Sequence, residues 1–282
     1  MMILIADSGS TKTDWVLIGH DGEMVGEVTT AGMNPYHLTD EELSDVLKDM
    51  TLLSSLGEGN DEDVSLFFYG SGCTPEQISR LCTLLQKSFP QISSFDIQSD
   101  LMGAARALCG HQEGIACILG TGANSCLYDG ERIVQNTPAL GYILGDEGSG
   151  AVLGRNFLNA LYKGRLSQGL REAFEQDMSL TMSAVIQQVY REPMANCFLA
   201  SLSLFIWKHL DVPEVRQLVV ENFREFLRNN VKPYGRPELP IGFVGSMAYH
   251  YESELREAVE QEGLVLGKIM KRPVSSLIRF CS

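Results

Sequence analysis

The chain has 282 residues, room for one large domain or two of ordinary size, and its 44% hydrophobic and 21% charged content excludes a mainly disordered protein. Thirty-six acidic residues against 22 basic ones leave a net charge of −14. No basic block interrupts that field, which disfavours duplex nucleic acid and anionic membranes as partners. A polyanionic ligand such as a nucleotide would then need backbone amides and a divalent cation for neutralisation, with magnesium the natural choice. The seven cysteines are odd in number and never form C-x-x-C, so they read as reduced thiols in a cytoplasmic protein rather than as a disulfide framework or zinc site. Residues 1–6 are too short for a signal-peptide core, and the longest apolar stretch, residues 197–207, is too short to span a bilayer and reads as a buried helix.

In chain order, Ile3-Leu4-Ile5-Ala6 is a short strand entering a Gly/Ser/Thr turn. Trp15 to Ile18 follows as a second strand, and the hairpin dipeptide Asp21-Gly22 leads to a third near residues 23–30. Leu43, Val46, Leu47, Met50 and Leu53 recur at helical spacing after an Asp40 cap, as do Ile78, Leu81, Cys82 and Leu85 after Thr74-Pro75. Between these helices the run from Val64 to Tyr69 reads as a strand buried on both faces, and residues 93–98 as a weaker strand leading into a helix from Ser99. A similar opening then recurs: Ile115 to Leu119, the turn Gly120-Thr121-Gly122, Cys126-Leu127-Tyr128 and Asp129-Gly130-Glu131. This looks like a diverged duplication, with coincidence as the alternative because the turn-to-Asp-Gly spacings differ. From Gly148 to about Lys232 the pattern is almost wholly helical. Residues 233–240 form a turn-rich connector, Ile241 to Val244 a short buried strand, and a helix carries Tyr251, Leu255, Ala258 and Val259.

Four glycine-bearing segments carry the chemistry. In Asp7-Ser8-Gly9-Ser10-Thr11-Lys12-Thr13 a carboxylate at a strand end precedes a hydroxyl-rich turn, where amides and hydroxyls suit an anion and Asp7 suits a hydrated magnesium ion; the alternative is a plain hairpin rich in turn formers. Gly120-Thr121-Gly122 repeats the device. Gly145-Asp146-Glu147-Gly148-Ser149-Gly150 reads either as a helix N-cap with acids at the positive end of the dipole or as carboxylates placed for sugar hydroxyls. Gly242-Phe243-Val244-Gly245-Ser246 is a strand-to-helix turn that could pack against an adenine, or a common connection. Asp100 begins a helix just beyond a strand end, where α/β folds expose their active edge. It is either a first-turn dipole partner or the carboxylate that accepts a hydroxyl proton in phosphoryl transfer. Asn34-Pro35 and Ser71-Gly72 are candidate substrate contacts, each also readable as structural. No Walker, dinucleotide, zinc-protease or nucleophile-elbow motif occurs, and no two histidines lie close in sequence.

In this order the motifs resemble the actin, heat-shock chaperone and sugar kinase ATPase superfamily, and within it the N-acetylglucosamine kinase-like or BadF/BadG/BcrA/BcrD-type ATPase family. The resemblance implies an α/β fold of two ribonuclease H-like domains around a nucleotide cleft. Residues 1–110 plus about 273–282 would form the first domain, and residues 111–272, with a helical insertion about 151–232, the second. It implies transfer of the γ-phosphoryl of ATP, with Mg2+, to a hydroxyl of an amino sugar, N-acetylglucosamine first. Asp100 is then the catalytic base and Asp7 the metal residue. Ser8, Gly9, Ser10, Thr11, Lys12, Thr13, Gly120, Thr121, Gly122, Gly245 and Ser246 face ATP, while Asn34, Ser71, Gly72, Asn124, Asp146 and Glu147 face the sugar. Two alternatives accompany it: a dehydratase or reductase activator holding an inter-subunit iron–sulfur cluster, and a non-catalytic sugar-sensing protein. The acceptor, the hydroxyl phosphorylated and the existence of a homodimer stay open.

Overall fold

The computed structural model describes residues 2–9, 11–52 and 63–281. The chain divides into two compact units, one built from residues up to His111 together with those from Pro273 onward, the other from Gln112 to Arg272. In the first, β1 (Met2–Ser8), β2 (Lys12–Ile18) and β3 (Met24–Ala31) form an antiparallel meander. Helix α1 (Asp40–Lys48), β4 (Val64–Gly70), α2 (Pro75–Ser88), β5 (Ile92–Ser99) and α3 (Asp100–Cys109) follow. Strand β4 adds in parallel to the far side of β1, and β5 adds to β4, giving the order β3-β2-β1-β4-β5. The cap of α1 is Thr39 rather than the expected Asp40: the Thr39 hydroxyl accepts the Glu42 N–H, and Glu42 accepts the Thr39 N–H. The hydroxyl and the glutamate at the third helical position satisfy two donors at once, which a single aspartate does not.

The second unit opens on β6 (Gly114–Leu119), β7 (Ala123–Tyr128) and β8 (Ile133–Thr137), again an antiparallel meander. Six main helices follow a single turn, α4 (Gly141–Leu144): α5 (Gly150–Tyr162), α6 (Gln168–Asp177), α7 (Met182–Tyr190), α8 (Ala195–Ser201), α9 (Ser203–Lys208) and α10 (Pro213–Phe226). Helix α10 runs on into a π turn, Leu227–Val231. Strand β9 (Pro240–Val244), α11 (Ser246–His250), α12 (Glu252–Gln261) and β10 (Val265–Met270) complete the sheet, ordered β10-β9-β6-β7-β8. The last helix, α13 (Val274–Cys281), packs on α3, β1 and β2 of the first unit. Position for position, the two sheets have one order: a central first strand, two antiparallel strands to one side and two parallel strands to the other. That is the architecture expected of the repeat seen in the sequence.

The apolar stretch at residues 197–207 is two short helices joined at Leu202 rather than one, and Leu204 and Trp207 lie 61% and 46% exposed. The helix expected to carry Tyr251 is likewise divided, at Tyr251 itself. Strands β8 and β10 were not expected. Both lie at sheet edges, β8 mostly exposed and β10 mostly half-exposed, so neither shows the apolar run of a strand buried on both faces. In the first unit the two faces of the sheet divide by parity. Leu4, Ala6, Trp15, Leu66 and Phe68 join Leu43, Leu47, Leu81 and Leu85 of α1 and α2 in one core. The odd-numbered residues of β1, down to Asp7, share the opposite face with Tyr69, on which Gly103 of α3 packs.

Candidate active site

In the first unit, three parallel strands end in line. Ser8, Gly70 and Ser99 are register partners across β1, β4 and β5, so Gly9, Ser71 and Asp100 leave the same edge of the sheet. This is the edge at which open α/β sheets place ligands. Ser71 donates its N–H to the Ser8 carbonyl at 2.8 Å and its hydroxyl to the Asp100 carboxylate. Asp100 Oδ1 also accepts the Leu101 N–H at 2.8 Å, while Ser99 caps α3 through the Met102 N–H. Burial pushes the Asp100 carboxyl above the ordinary carboxylate range, against the lowering effect of the Leu101 and Asp100 amides and the Ser71 hydroxyl. The adjacent Cys73 thiol is buried and faces that carboxylate, which raises its pKa to about 12 and keeps it protonated.

Gly72 adopts φ +78, and a Cβ there would run into the Asn34 amide. Glycine therefore serves two ends, the left-handed turn and the close approach of Asn34. Asn34 is itself buried; its Oδ1 accepts the Tyr36 N–H, and its carbonyl accepts those of His37 and Leu38. Arg80 fixes this loop by donating to the Pro35 and Leu38 carbonyls and to Asp40. Asn34, Ser71, Gly72 and Asp100 thus gather on one sheet edge.

The first glycine turn is less uniform. Ser8 and Thr13 are fully buried. Thr13 donates to the Ala31 carbonyl, so in the 2.8 Å Ser8–Thr13 contact Ser8 is the donor, and Ser8 Oγ also accepts the Met33 N–H. In this structure their hydroxyls are engaged in building the hairpin. Thr11 and Lys12 are exposed at the turn, closed by the Gly9 N–H to Lys12 carbonyl bond; Ser10 lies outside the described residues. Lys12 donates to Asp14 at 2.6 Å, and Asp14 also accepts the Thr29 hydroxyl. Asp14 is the register partner of Asp7 on the same sheet face, a second carboxylate that sequence reading passed over because its meaning depends on the hairpin register.

In the second unit, Gly120-Thr121-Gly122 is the β6–β7 hairpin turn, with the Gly120 N–H donating to the Gly122 carbonyl. The Gly120 and Thr121 carbonyls accept the Gly150 and Ala151 N–H groups at the start of α5, so this turn is bolted to the helix behind it. Asp146, at φ +54, accepts the Ala123 and Gly141 N–H groups, yet burial, aided by Glu147, lifts its pKa to about 6. A Cβ at Gly122 would press on this carboxylate. Ser149 caps α5 through the Val152 N–H, which gives the acidic loop the helix cap of the first sequence reading. Asn124 Oδ1 accepts the Ser125 N–H and the Asn136 amide. Glu147 is gripped by the amides of Asn229 and Asn230, two residues no motif flagged. Gly245, at φ +125 where a Cβ would run into the Leu119 carbonyl, follows the end of β9 beside β6, and Ser246 stands exposed after it. Among the described residues no group of three or more His, Cys, Asp or Glu side chains could hold a metal. No helix among them is long and apolar enough to cross a membrane.

No family model matches the chain. It is similar to a protein of Porphyromonas gingivalis provisionally assigned as an N-acetylglucosamine kinase, with 47% identity, a TM-score of 0.94 and coverage of 99% of this chain and 98% of that one. A Chromobacterium violaceum structure with the same provisional assignment shares the fold at 19% identity, with a TM-score of 0.79 over 100% and 99% of the two chains. The N-acetylmuramic acid/N-acetylglucosamine kinase of Clostridium acetobutylicum is 24% identical over 204 residues, 70% of this chain and 67% of that one. With nearly half its residues shared along the full length of the first of these, the chain belongs to the N-acetylglucosamine kinase-like family of actin-fold sugar kinases.

Proposed function

We propose that this protein transfers the γ-phosphoryl group of ATP to a hydroxyl of an amino sugar, N-acetylglucosamine first among acceptors. The observation that carries the reading is that Ser71 bonds Asp100 while the neighbouring Gly72 lies against the buried Asn34, at one sheet edge. A carboxylate with a raised proton affinity sits there at a sheet edge beside neutral hydrogen-bonding groups. An alcohol attacking a phosphorus atom must lose its proton, and a burial-strengthened carboxylate is suited to take it up. In this reading Asp100 accepts that proton, with the Ser71 hydroxyl fixing its orientation. Asn34 binds the acceptor, as do Asn124, Asp146 and Glu147 of the second unit. Thr11, Lys12, Gly9, Gly120, Thr121, Gly122, Gly245 and Ser246 serve ATP.

Mg2+ fits the donor set: Asp7 offers one carboxylate at a strand end, and magnesium commonly takes only one or two, completing its shell with water and phosphate oxygens. Bound there it would neutralise phosphate charge that a chain of net charge −14 cannot neutralise by itself. The Lys12 ammonium, shared with Asp14, supplies only part of that neutralisation. Placement in the cytoplasm with reduced thiols, and a small sugar rather than a nucleic acid as partner, follow from the same composition. The test is a panel of hexosamines and their N-acetyl and lactyl derivatives with ATP and Mg2+, read by ADP release. Turnover that depends on an N-acetylated sugar supports the reading; ATP hydrolysis indifferent to every sugar defeats it.

A further inference from the structure

The π turn at the end of α10 ties together most of the second unit's candidate sugar-facing groups, and no motif accounts for it. On one side, Glu262, its side chain only 5% exposed, accepts from Arg224, Arg228 and Lys232 at 2.9, 2.8 and 2.6 Å. Residues four apart drift steadily around an α-helix. The wider π turn advances less per residue and cancels the drift. On another side, the consecutive Asn229 and Asn230 both turn their amides to Glu147, at 3.1 Å to Oε1 and 3.3 Å to Oε2.

Asn230 does more than its neighbour. It is 6% exposed, and its carbonyl accepts the hydroxyls of Ser125 on β7 and Thr137 on β8 at 3.1 and 3.0 Å. Ser125 has one proton and gives it to Asn230, so in the 2.6 Å contact with Tyr234 the tyrosine is the donor, while Tyr234 Oη accepts the Thr137 N–H. The strand pair beside Asn124 and the acidic loop at Asp146 and Glu147 therefore share one anchor. Each amide of the pair occupies one Glu147 oxygen and leaves lone pairs on the outer side for other donors.

Resting on the kinase reading, we propose that Asn229 and Asn230 are positioning residues for the acceptor sugar. They hold Glu147 in the orientation in which it accepts sugar hydroxyls, so the π turn sets acceptor affinity while leaving ATP affinity and the chemical step alone. Hydrogen bonds that pin a binding group without touching the reacting atoms act on ground-state and transition-state binding alike, and their loss raises KM with kcat unchanged.

The experiment compares Asn229→Ala, Asn230→Ala and Asn230→Asp with the unaltered protein, measuring kcat and both KM values with N-acetylglucosamine and ATP. The exposed Asn229 tolerates truncation, and Asn230→Ala spares the backbone carbonyl that receives Ser125 and Thr137, so at least one variant folds. Each alanine variant should raise the sugar KM roughly tenfold, as expected for loss of a hydrogen bond to a charged group, with the ATP KM and kcat within about twofold. Asn230→Asp, which sets a like charge against Glu147, should raise it further. Val219→Ala in the core of α10 serves as a control for general destabilisation and should leave the sugar KM unchanged. An unchanged sugar KM in folded variants, or equal rises in both KM values, overturns the assignment. Absence of any sugar-dependent turnover in the unaltered protein instead overturns the kinase reading on which it rests.

Discussion

At the residue scale, Asp100 can be tested in two ways at once. If it takes the hydroxyl proton, Asp100→Asn should lower kcat by roughly 10²- to 10⁴-fold while calorimetry still records sugar and ATP binding. The sign of the stability effect follows from linkage. A carboxyl whose folded pKa is raised favours the folded state fully below its unfolded pKa and loses that contribution as pH rises through the folded value. Above that folded value the ionised Asp100 weakens the fold, and there Asp100→Asn should melt at or above the temperature of the unaltered protein. A variant that melts lower and turns over normally would make Asp100 a mere helix-dipole partner. Asp146 offers a second titration. Its pKa of about 6 means that stability falls as pH rises from the ordinary carboxylate range to about 6, then levels. In Asp146→Asn this slope should vanish from melting curves taken between pH 4 and 7. Gly72→Ala meets both a positive φ and the Asn34 amide. It should cost about 1–3 kcal/mol in denaturant unfolding, the usual range for a strained backbone, and should weaken sugar binding by displacing Asn34.

At the scale of elements, what the sequence reveals depends on whether an element's role is local. The glycine turns, the Pro75 helix start and the doubly buried β4 were legible because Gly, Pro and a continuous apolar run each act through their own backbone. Asn34, Ser71, Gly72 and Asp100 were legible as members of such turns, though only the strand register shows that Ser8, Gly70 and Ser99 end together. Strand β8, reading Ile133-Val134-Gln135-Asn136-Thr137, and the π turn were not legible, because their value lies in partners about a dozen to 105 positions away. The inward turn of Ser8 and Thr13 was hidden for the same reason. The Glu262 cluster makes this scale measurable. Burial alone would raise its carboxyl, but Lys232, Arg228 and Arg224 bring it down to about 2. A lowered carboxylate contributes stability above its unfolded pKa, so this contribution should be lost as pH falls from about 4.5 toward 2. Glu262→Gln should cost about 1–3 kcal/mol at neutral pH, as for hydrogen bonds to charged groups, and should flatten that acid limb.

At the scale of the whole molecule, one sheet plan serves twice, and the first copy is closed by a distant segment. Arg106 of α3 donates to Asp96 at 2.7 Å and to the Tyr69 hydroxyl at 2.9 Å, and its guanidinium lies over the ring of Phe280 in α13. The helix that begins at Asp100 is thus clamped by a residue 180 positions later in the chain. This has a consequence for synthesis on the ribosome. Units of a growing chain ordinarily fold in the order they emerge. Here the continuous second unit has all of its parts once Arg272 is made, whereas the first still lacks α13. The earlier half of the sequence is therefore the later to mature, and until residues 273–281 appear the nascent β1–α3 surface that α13 will cover stays open to water and to chaperones.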